Sequence, residues 1–188
     1  MFPLTLRETK GSPLTHQEMD NNLKHVMFPP FLHIQDQKPQ GTHGGTFTAG
    51  AWQTRDLNTV LTNTITGASL AANQITLPAG TYYVEASAPG FYCRSHQTKL
   101  RRITETASDI LIGSSMYVFE DSSNSARAMV VTLSKINGII NSSAEAGFEL
   151  QHRCEQTRTS NGFGRAGDFT TEVYSDIRIW RIGEYEEE

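Results

Sequence analysis

The chain has 188 residues, of which 37% are hydrophobic and 19% are charged, and its formal net charge is −4. This composition is typical of a globular domain with its own core and excludes an intrinsically disordered chain. The acidic balance and the lack of a basic stripe argue against a nucleic-acid partner.

Membrane and secretion signals are not evident in the sequence. No apolar run reaches the roughly 18–20 residues that a membrane-spanning helix requires, so we expect no membrane insertion. Residues 1–8 lack the apolar centre of a secretory signal. Cys93 and Cys154 are too few for a disulfide framework. Free thiols in a protein made in the cytosol are the simpler interpretation, and one structural disulfide is the alternative.

A short helix is predicted over residues 15–26. Thr15 and Glu18 have the spacing of a capping box. Met19, Leu23 and Val26 then fall on one face of the helix. Because a helix of about three turns is marginal in water, it needs a partner. That partner is the chain's own domain, two further copies on a three-fold axis, or a neighbouring protein, and we name these three apolar residues as candidate interface residues.

The sequence pattern changes after Pro29-Pro30, which ends the helical unit. From residue 31 onward, apolar residues alternate and turn residues interrupt them at short intervals, which predicts antiparallel strands. We therefore predict an N-terminal extension over 1–30, for attachment or trimerisation, and an all-β antiparallel jelly-roll sandwich over 31–188. The predicted strands are 31–36, 51–55, 59–65, 73–77, 80–89, 94–104, 110–120, 126–136, 146–155 and 171–182.

The last predicted strand is apolar on both of its faces. Ile177 and Ile179 lie on one face, and Trp180 lies on the other. A strand with two apolar faces is covered on both sides. The second cover is either a neighbouring subunit or loops of the same chain. We predict that Ile177, Ile179 and Trp180 belong to a subunit interface.

The sequence lacks the common catalytic signatures. The sequence contains no Gly-x-Ser-x-Gly elbow, phosphate-binding loop or His-Glu-x-x-His motif. No spacing singles out a carboxylate pair for glycan cleavage. Four side chains of the right type for zinc are Cys93, His96, His152 and Cys154. Cys93 and His96 lie an odd number of positions apart, which places them on opposite faces of a strand and argues against a shared zinc ion. We expect a protein that is not an enzyme and carries no cofactor or metal.

The best candidate for a ligand-facing tip is the glycine-rich loop over 157–168. It offers an amide, an aromatic ring, a cation and an anion in Asn161, Phe163, Arg165 and Asp168. Tyr92 lies near another predicted loop and is a further candidate, as is Trp52, because sugar binding uses aromatic platforms. The alternative interpretation is that these aromatics belong to the core and that the loop is only an unusual connection.

A second candidate is the basic cluster of Arg94, Lys99, Arg101 and Arg102. Its simpler interpretation is a solvated face with inter-subunit ion pairs. Binding of an anionic glycan is the alternative.

One segment of the helical region resembles a known element. Residues 14–22 contain Leu-Thr-x-x-Glu-x-Asp-x-Asn, which is similar to a short element near the start of many bacteriophage tail-fibre and tail-associated proteins. Three stretches of the following region, 44–46, 52–58 and 75–82, look like a domain at the C-terminal end of phage fibre and virion decoration proteins.

The same region is similar to the complement C1q and tumour necrosis factor (TNF) jelly rolls. Residues 60–63, followed by Pro-Ala-Gly-Thr-Tyr at 78–82, match the C1q pattern. The later C1q signatures, Leu-x-x-Gly-Asp and Phe-Ser-Gly-Phe, are absent. The resemblance therefore implies the jelly-roll trimer that these families share.

Together the resemblances imply a homotrimer in a phage virion. The helix would face the particle and contact other virion proteins, and the jelly roll would face outwards for host-surface glycan binding or decoration. The alternative is a soluble C1q/TNF-like module that recognises a protein receptor.

Overall fold

The structure is a computed structural model that describes residues 5–104, 106–117 and 130–185, without the side chain of His25. Two helices precede eleven strands in the described residues. The helices are α1 (Arg7–Lys10) and α2 (His16–Met27). The strands are β1 (Phe31–Lys38), β2 (Gln53–Thr54), β3 (Thr59–Asn63), β4 (Ser69–Ala71), β5 (Gln74–Leu77), β6 (Gly80–Phe91), β7 (His96–Arg102), β8 (Ser108–Ile112), β9 (Val131–Ser142), β10 (Ala146–Cys154) and β11 (Glu172–Gly183).

The strands form two antiparallel sheets. The first sheet has five strands in the order β3-β1-β11-β6-β9. The second has the order β4-β5-β10-β7-β8, and β2 pairs with β10. Strands that are neighbours in sequence are often separated in the sheets, as expected for a jelly roll. The predicted all-β antiparallel jelly-roll sandwich with a short N-terminal helix is confirmed.

The core fills the space between the two sheets. In β6, burial alternates along the strand, and the predicted apolar face is buried. The partner sheet contributes Leu100, Phe148 and Leu150, each at most 1% exposed. The other main contributors to this core are Leu32, Ile34, Ile75, Leu77, Tyr82, Val84, Ile136, Ile140, Ile177 and Ile179.

The interface role predicted for Ile177 and Ile179 is wrong. These side chains are 0% and 1% exposed within a single chain, because this face of β11 points between the two sheets. Trp180 lies on the opposite face of β11 and is half-buried. Only the Trp180 face of this strand is therefore available to a sister chain.

The predicted helix is α2, and its capping box is formed. The backbone N–H of Glu18 donates to Thr15 Oγ1 at 3.2 Å, and the backbone N–H of Thr15 donates to Glu18 Oε2 at 2.7 Å. Met19, Leu23 and Val26 are 45%, 59% and 70% exposed. The apolar face of α2 is thus not buried against the sandwich. No helix among the described residues has the length and apolar character needed to cross a membrane.

Some strand bounds differ from the predicted ones. The strand predicted over 126–136 is β9, which continues to Ser142 through Asn137 and Gly138. Gly138 has a packing role, since a Cβ at this position would lie 2.7 Å from Leu111 Cδ2. The short strand β4 was not predicted. Residues 118–120 and 126–129 of the predicted strands lie outside the described residues.

Candidate functional site

The end of the sandwich that carries the long loop is organised by Arg55, which is fully buried. Its guanidinium donates to Ser175 Oγ at 2.9 Å and to the carbonyl oxygens of Phe163 at 2.9 Å and Pro89 at 3.4 Å. It also lies 4.1 Å from the centroid of the Phe163 ring. Burial lowers the pKa of Arg55 to about 10, so the group remains charged at neutral pH.

Two of the predicted ligand residues have packing roles at this end of the domain. The Phe163 ring packs against Arg55 and lies 4.6 Å from the Phe47 ring. Tyr92 is buried beneath the guanidinium of Arg158, which is 3.8 Å from the Tyr92 ring centroid. The predicted ligand-facing role of Tyr92 is therefore wrong, whereas Phe163 is half-buried and its ligand contact stays a prediction. The loop folds back, and its aromatic side chain packs on a second small core of Phe47, Cys93 and Cys154.

The other predicted loop residues lie nearer the surface. Asn161 forms a turn, in which its carbonyl oxygen accepts from the backbone N–H of Gly164 at 3.0 Å. Arg165 is exposed, and its guanidinium lies 5.8 Å from the Phe91 ring centroid. Asp168 is exposed as well. Ligand binding by Asn161, Arg165 and Asp168 stays a prediction.

Sequence reasoning missed the carboxylate that holds the end of this loop. Glu172 accepts hydrogen bonds from the backbone N–H groups of Gly41, Gly167 and Asp168 at 3.1, 3.0 and 2.7 Å. These bonds lower the pKa of Glu172. The held segment presents Phe169 with 91% of its surface exposed. No sequence signal set Glu172 apart, because its donors lie on two distant loops.

An apolar row crosses the outward face of the first sheet. The strand register aligns Phe31 with Trp180, Trp180 with Tyr83, and Tyr83 with Ile139. The ring centroids of Phe31 and Trp180 are 4.9 Å apart, and those of Tyr83 and Trp180 are 5.8 Å apart. Ile139 is 58% exposed. This row, hereafter the aromatic row, is apolar surface on the face of the sheet opposite the core.

Charged and polar residues occupy the next two rows of the same face. Asp176 Oδ2 lies 2.8 Å from His33 Nε2, and Asp176 Oδ1 lies 3.2 Å from Arg178 Nε. A cavity of about 470 Å³ opens beside them. Its polar lining is Glu85, Ser87, Ser114, Lys135, Asn137, Asp176 and Arg178. Two acidic and two basic residues balance each other here, so the face carries no strong charge against a second copy of itself.

A pair of histidines lies inside the sandwich, near both cysteines. Nδ1 of His96 and Nε2 of His152 share a hydrogen bond of 2.9 Å, and Nε2 of His96 is 2.7 Å from Thr132 Oγ1. Cys93 and Cys154 are free and buried. A hydrogen bond to Cys154 and burial raise the pKa of Cys93. Within 5–104, 106–117 and 130–185, no group of three or more His, Cys, Asp or Glu side chains is arranged to hold a metal ion.

Burial also determines the protonation of the histidine pair. It lowers the pKa of His96 to about 4 and the pKa of His152 well below its usual value. The nearby charge of Arg55 acts in the same direction. Both rings are therefore neutral at pH 7.

Comparisons with known proteins extend this description. No protein-family model matches the chain, and no curated protein matches it. Among solved structures, the globular domain of zebrafish complement 1qA covers 83% of this chain at a TM-score of 0.51 and 10% identity, over 98% of its own length. Murine APRIL at pH 5.0 covers 81% of this chain at a TM-score of 0.53 and 6% identity, also over 98% of its length.

The chain has a C1q/TNF-like jelly-roll fold. Murine APRIL at pH 8.0 gives the same result, with a TM-score of 0.51, 6% identity and coverage of 80% of this chain and 98% of that one. At this level of identity the likeness establishes the fold alone. The activities and partners of C1q/TNF-like proteins do not transfer with it.

Replacement of Arg55 by methionine should destabilise this jelly roll. The change leaves the Phe163 and Pro89 carbonyl oxygens without their donor, so we expect a loss of about 3 kcal/mol in the free energy of unfolding. Urea denaturation at fixed protein concentration measures it. The matched control is Arg153→Met on the exposed side of β10, for which we expect a change within about 0.5 kcal/mol. A loss below about 1 kcal/mol for Arg55→Met would contradict the organising role of this residue.

Acidic pH should lower the free energy of unfolding because His96 and His152 are neutral in the folded state. Because the folded state keeps both rings neutral, the unfolded chain binds more protons below its histidine pKa of about 6.5. Stability is therefore fully present above pH 6.5 and falls as the pH drops toward 4, by up to about 1.4 kcal/mol per pH unit for each histidine. Urea denaturation at several pH values between 7 and 5 gives the free energy of unfolding as a function of pH. We expect this free energy to fall less steeply with decreasing pH for His96→Gln than for the unchanged protein. Equal slopes for the variant and the unchanged protein would refute this assignment.

Proposed function

We propose that this chain is a non-catalytic, homotrimeric virion protein of a bacteriophage, serving as a tail-fibre, fibre-tip or head-decoration module that contributes to host-surface glycan binding. It would be made in the host cytoplasm and assembled into the particle. The observation that carries the assembly is the aromatic row. The phage setting rests on the sequence resemblance of residues 14–22 and of the region that follows.

The aromatic row supports association with sister chains. Trp180 and Ile139 lie on a face whose reverse side is already packed into the core. Exposed apolar surface rimmed by polar residues is typical of a protein interface. The rim carries acidic and basic residues in equal number on this face, which suits contact with identical copies. A three-fold arrangement is proposed because C1q and TNF jelly rolls, which the sequence resembles, form trimers.

The N-terminal segment supports attachment to another virion protein. Its apolar side chains Met19, Leu23 and Val26 are exposed, and Phe28 at the helix end is 69% exposed. An amphipathic helix with an open apolar face is a common docking element. We propose that α2 binds a neighbouring virion protein or its own copies around the trimer axis.

A non-catalytic role is supported by the hydrogen bonds of Glu172 and Glu149, two carboxylates whose pKa values are lowered. Glu172 clamps a loop through three backbone N–H groups. Glu149 accepts from Thr54, Gln74 and Gln151, so its pKa is lowered although burial opposes this. Each of these two shifts has a structural explanation, and neither carboxylate resembles a general acid with a raised pKa. Burial does raise the pKa of Asp36, but this side chain is only 1% exposed and is paired with Lys38 at 3.1 Å, so it is not open to a substrate.

One observation favours the alternative function of a soluble module that recognises a protein receptor. Phe169 is 91% exposed on a segment that Glu172 holds in place. An exposed aromatic side chain on a preorganised loop is typical of a protein-binding hot spot.

The mass in solution tests the assembly. We expect light scattering at micromolar concentration to give three times the 20.9 kDa mass of the chain. Ile139→Arg should yield monomers, because it places a charge within the aromatic row. The matched control is Ile112→Arg on β8, since Ile112 is also 58% exposed but belongs to the second sheet. A monomeric unchanged protein, or equal masses for the two variants, would overturn the proposed trimer face.

The proposal that this protein is a component of a phage particle is tested by locating the protein. Antibodies against the purified protein should label phage particles released from cells that carry its gene. Labelling confined to the soluble fraction, with the trimer intact, would favour the receptor-recognising alternative.

A further inference from the structure

We propose that an open pocket on the outward side of the second sheet binds a pyranose sugar that carries a carboxylate, such as a uronic or sialic acid. This inference rests on the proposed function, because it names the ligand class for host-surface attachment. The pocket has a volume of about 750 Å³ and lies where β7, β10 and the residues before β2 meet residues 115–117. The lining residues used below are Trp52, Gln97, Ser115, Tyr117, Arg153 and Glu155.

Two aromatic side chains give the pocket surfaces on which a sugar ring can stack. Tyr117 is 58% exposed, and Trp52 is half-buried. Lys99 Nζ lies 4.3 Å from the centroid of the Trp52 ring and is itself paired with Asp109 Oδ1 at 2.9 Å. The indole is therefore held in position before any ligand arrives, which lowers the entropic cost of binding. Aromatic walls with a few convergent polar groups are typical of small-molecule sites.

Polar groups for sugar hydroxyls are fixed on the strand beside these rings. The Gln97 amide nitrogen donates to the Gly113 carbonyl oxygen at 2.9 Å and to Ser115 Oγ at 3.1 Å. No hydrogen bond within the described part of the chain uses the amide oxygen of Gln97, so it can accept from a hydroxyl. The same side of the pocket thus offers an oriented amide and a hydroxyl.

The charges of the pocket favour an acidic ligand. Glu155 is already engaged, since it accepts from Ser95 Oγ at 2.8 Å and lies 3.4 Å from Arg94 Nη1. Arg153 is exposed on β10, and its side chain makes no ion pair or hydrogen bond with any residue that the structure describes. A guanidinium binds a carboxylate through two parallel hydrogen bonds. The uncommitted cation of the pocket is therefore suited to the carboxylate of an acidic sugar.

The position of the pocket is compatible with assembly. The aromatic row lies on the outward face of the first sheet, and the pocket lies on the outward side of the second. Trimer formation through the aromatic row would leave the pocket open on each subunit. Three identical pockets on one particle component would strengthen weak sugar binding through multivalency.

Ligand-observed NMR with the full-length protein tests this inference. The probes are glucuronic acid, N-acetylneuraminic acid, glucose and acetate. We expect both acidic sugars to bind, and glucose and acetate to bind at least about tenfold more weakly. Arg153→Met should weaken the binding of both acidic sugars by at least about tenfold and leave the affinity for glucose unchanged. Tyr117→Ala should weaken the binding of every sugar, because it removes a stacking surface.

Matched controls separate the pocket from general effects of substitution. Arg7→Met and Tyr185→Ala remove an arginine and a tyrosine that lie outside the pocket, and we expect unchanged binding. Thermal melting of each variant shows whether it is folded. If acetate binds as tightly as the acidic sugars, the pocket is only an anion site and the inference is wrong.

The remaining outcomes distinguish the pocket from the proposed function. If the unchanged protein binds acidic sugars and both pocket variants bind them equally well, the pocket assignment is wrong and surface attachment stands. If no sugar binds, the pocket inference is wrong, and the mass in solution decides separately whether the protein is a trimeric module.

Discussion

The aromatic row across the first sheet is the feature on which the proposed role of this jelly roll depends. Phe31, Trp180, Tyr83 and Ile139 align across four strands by register, and they face away from the core. A two-layer sandwich buries only one face of each sheet, so apolar surface on the other face is left to water or to a partner. Under the proposed function, each sheet has a different use, with the first sheet for assembly and the second for ligand contact.

The buried polar groups of the chain hold loops in place. The backbone N–H of Arg55 donates to the Leu150 carbonyl oxygen of the second sheet, and its guanidinium binds Ser175 of the first sheet and the Phe163 carbonyl oxygen of the long loop. Glu172 fixes the segment that follows. Buried charges are costly unless they are fully paired. Arg153 and Phe169, by contrast, are exposed and belong to the surface groups that can meet an external partner.

The sequence predicted the local features and the fold class well, since both follow from spacing. The capping box at Thr15 and the alternation of β6 are read directly from residue order. Burial at a given strand position depends instead on which face meets the other sheet, so Ile177 was assigned to an interface although it belongs to the core. The packing of Phe163 on Arg55 could not be predicted for a related reason, because the two residues are distant in sequence. The packing of Leu111 against Gly138 likewise depends on which strands face each other, and residue order alone does not show it.

The most direct test of the central claim is hydroxyl-radical footprinting of the unchanged protein. Ile139 and Ile112 are both 58% exposed in the single chain and lie on opposite sheets. Because they share chemistry and exposure, any difference in their modification rates reports a cover supplied by another chain. The account predicts that Ile139 is modified several-fold more slowly than Ile112 at micromolar concentration and that dilution reduces the difference. Equal modification of the two side chains at every concentration would contradict it.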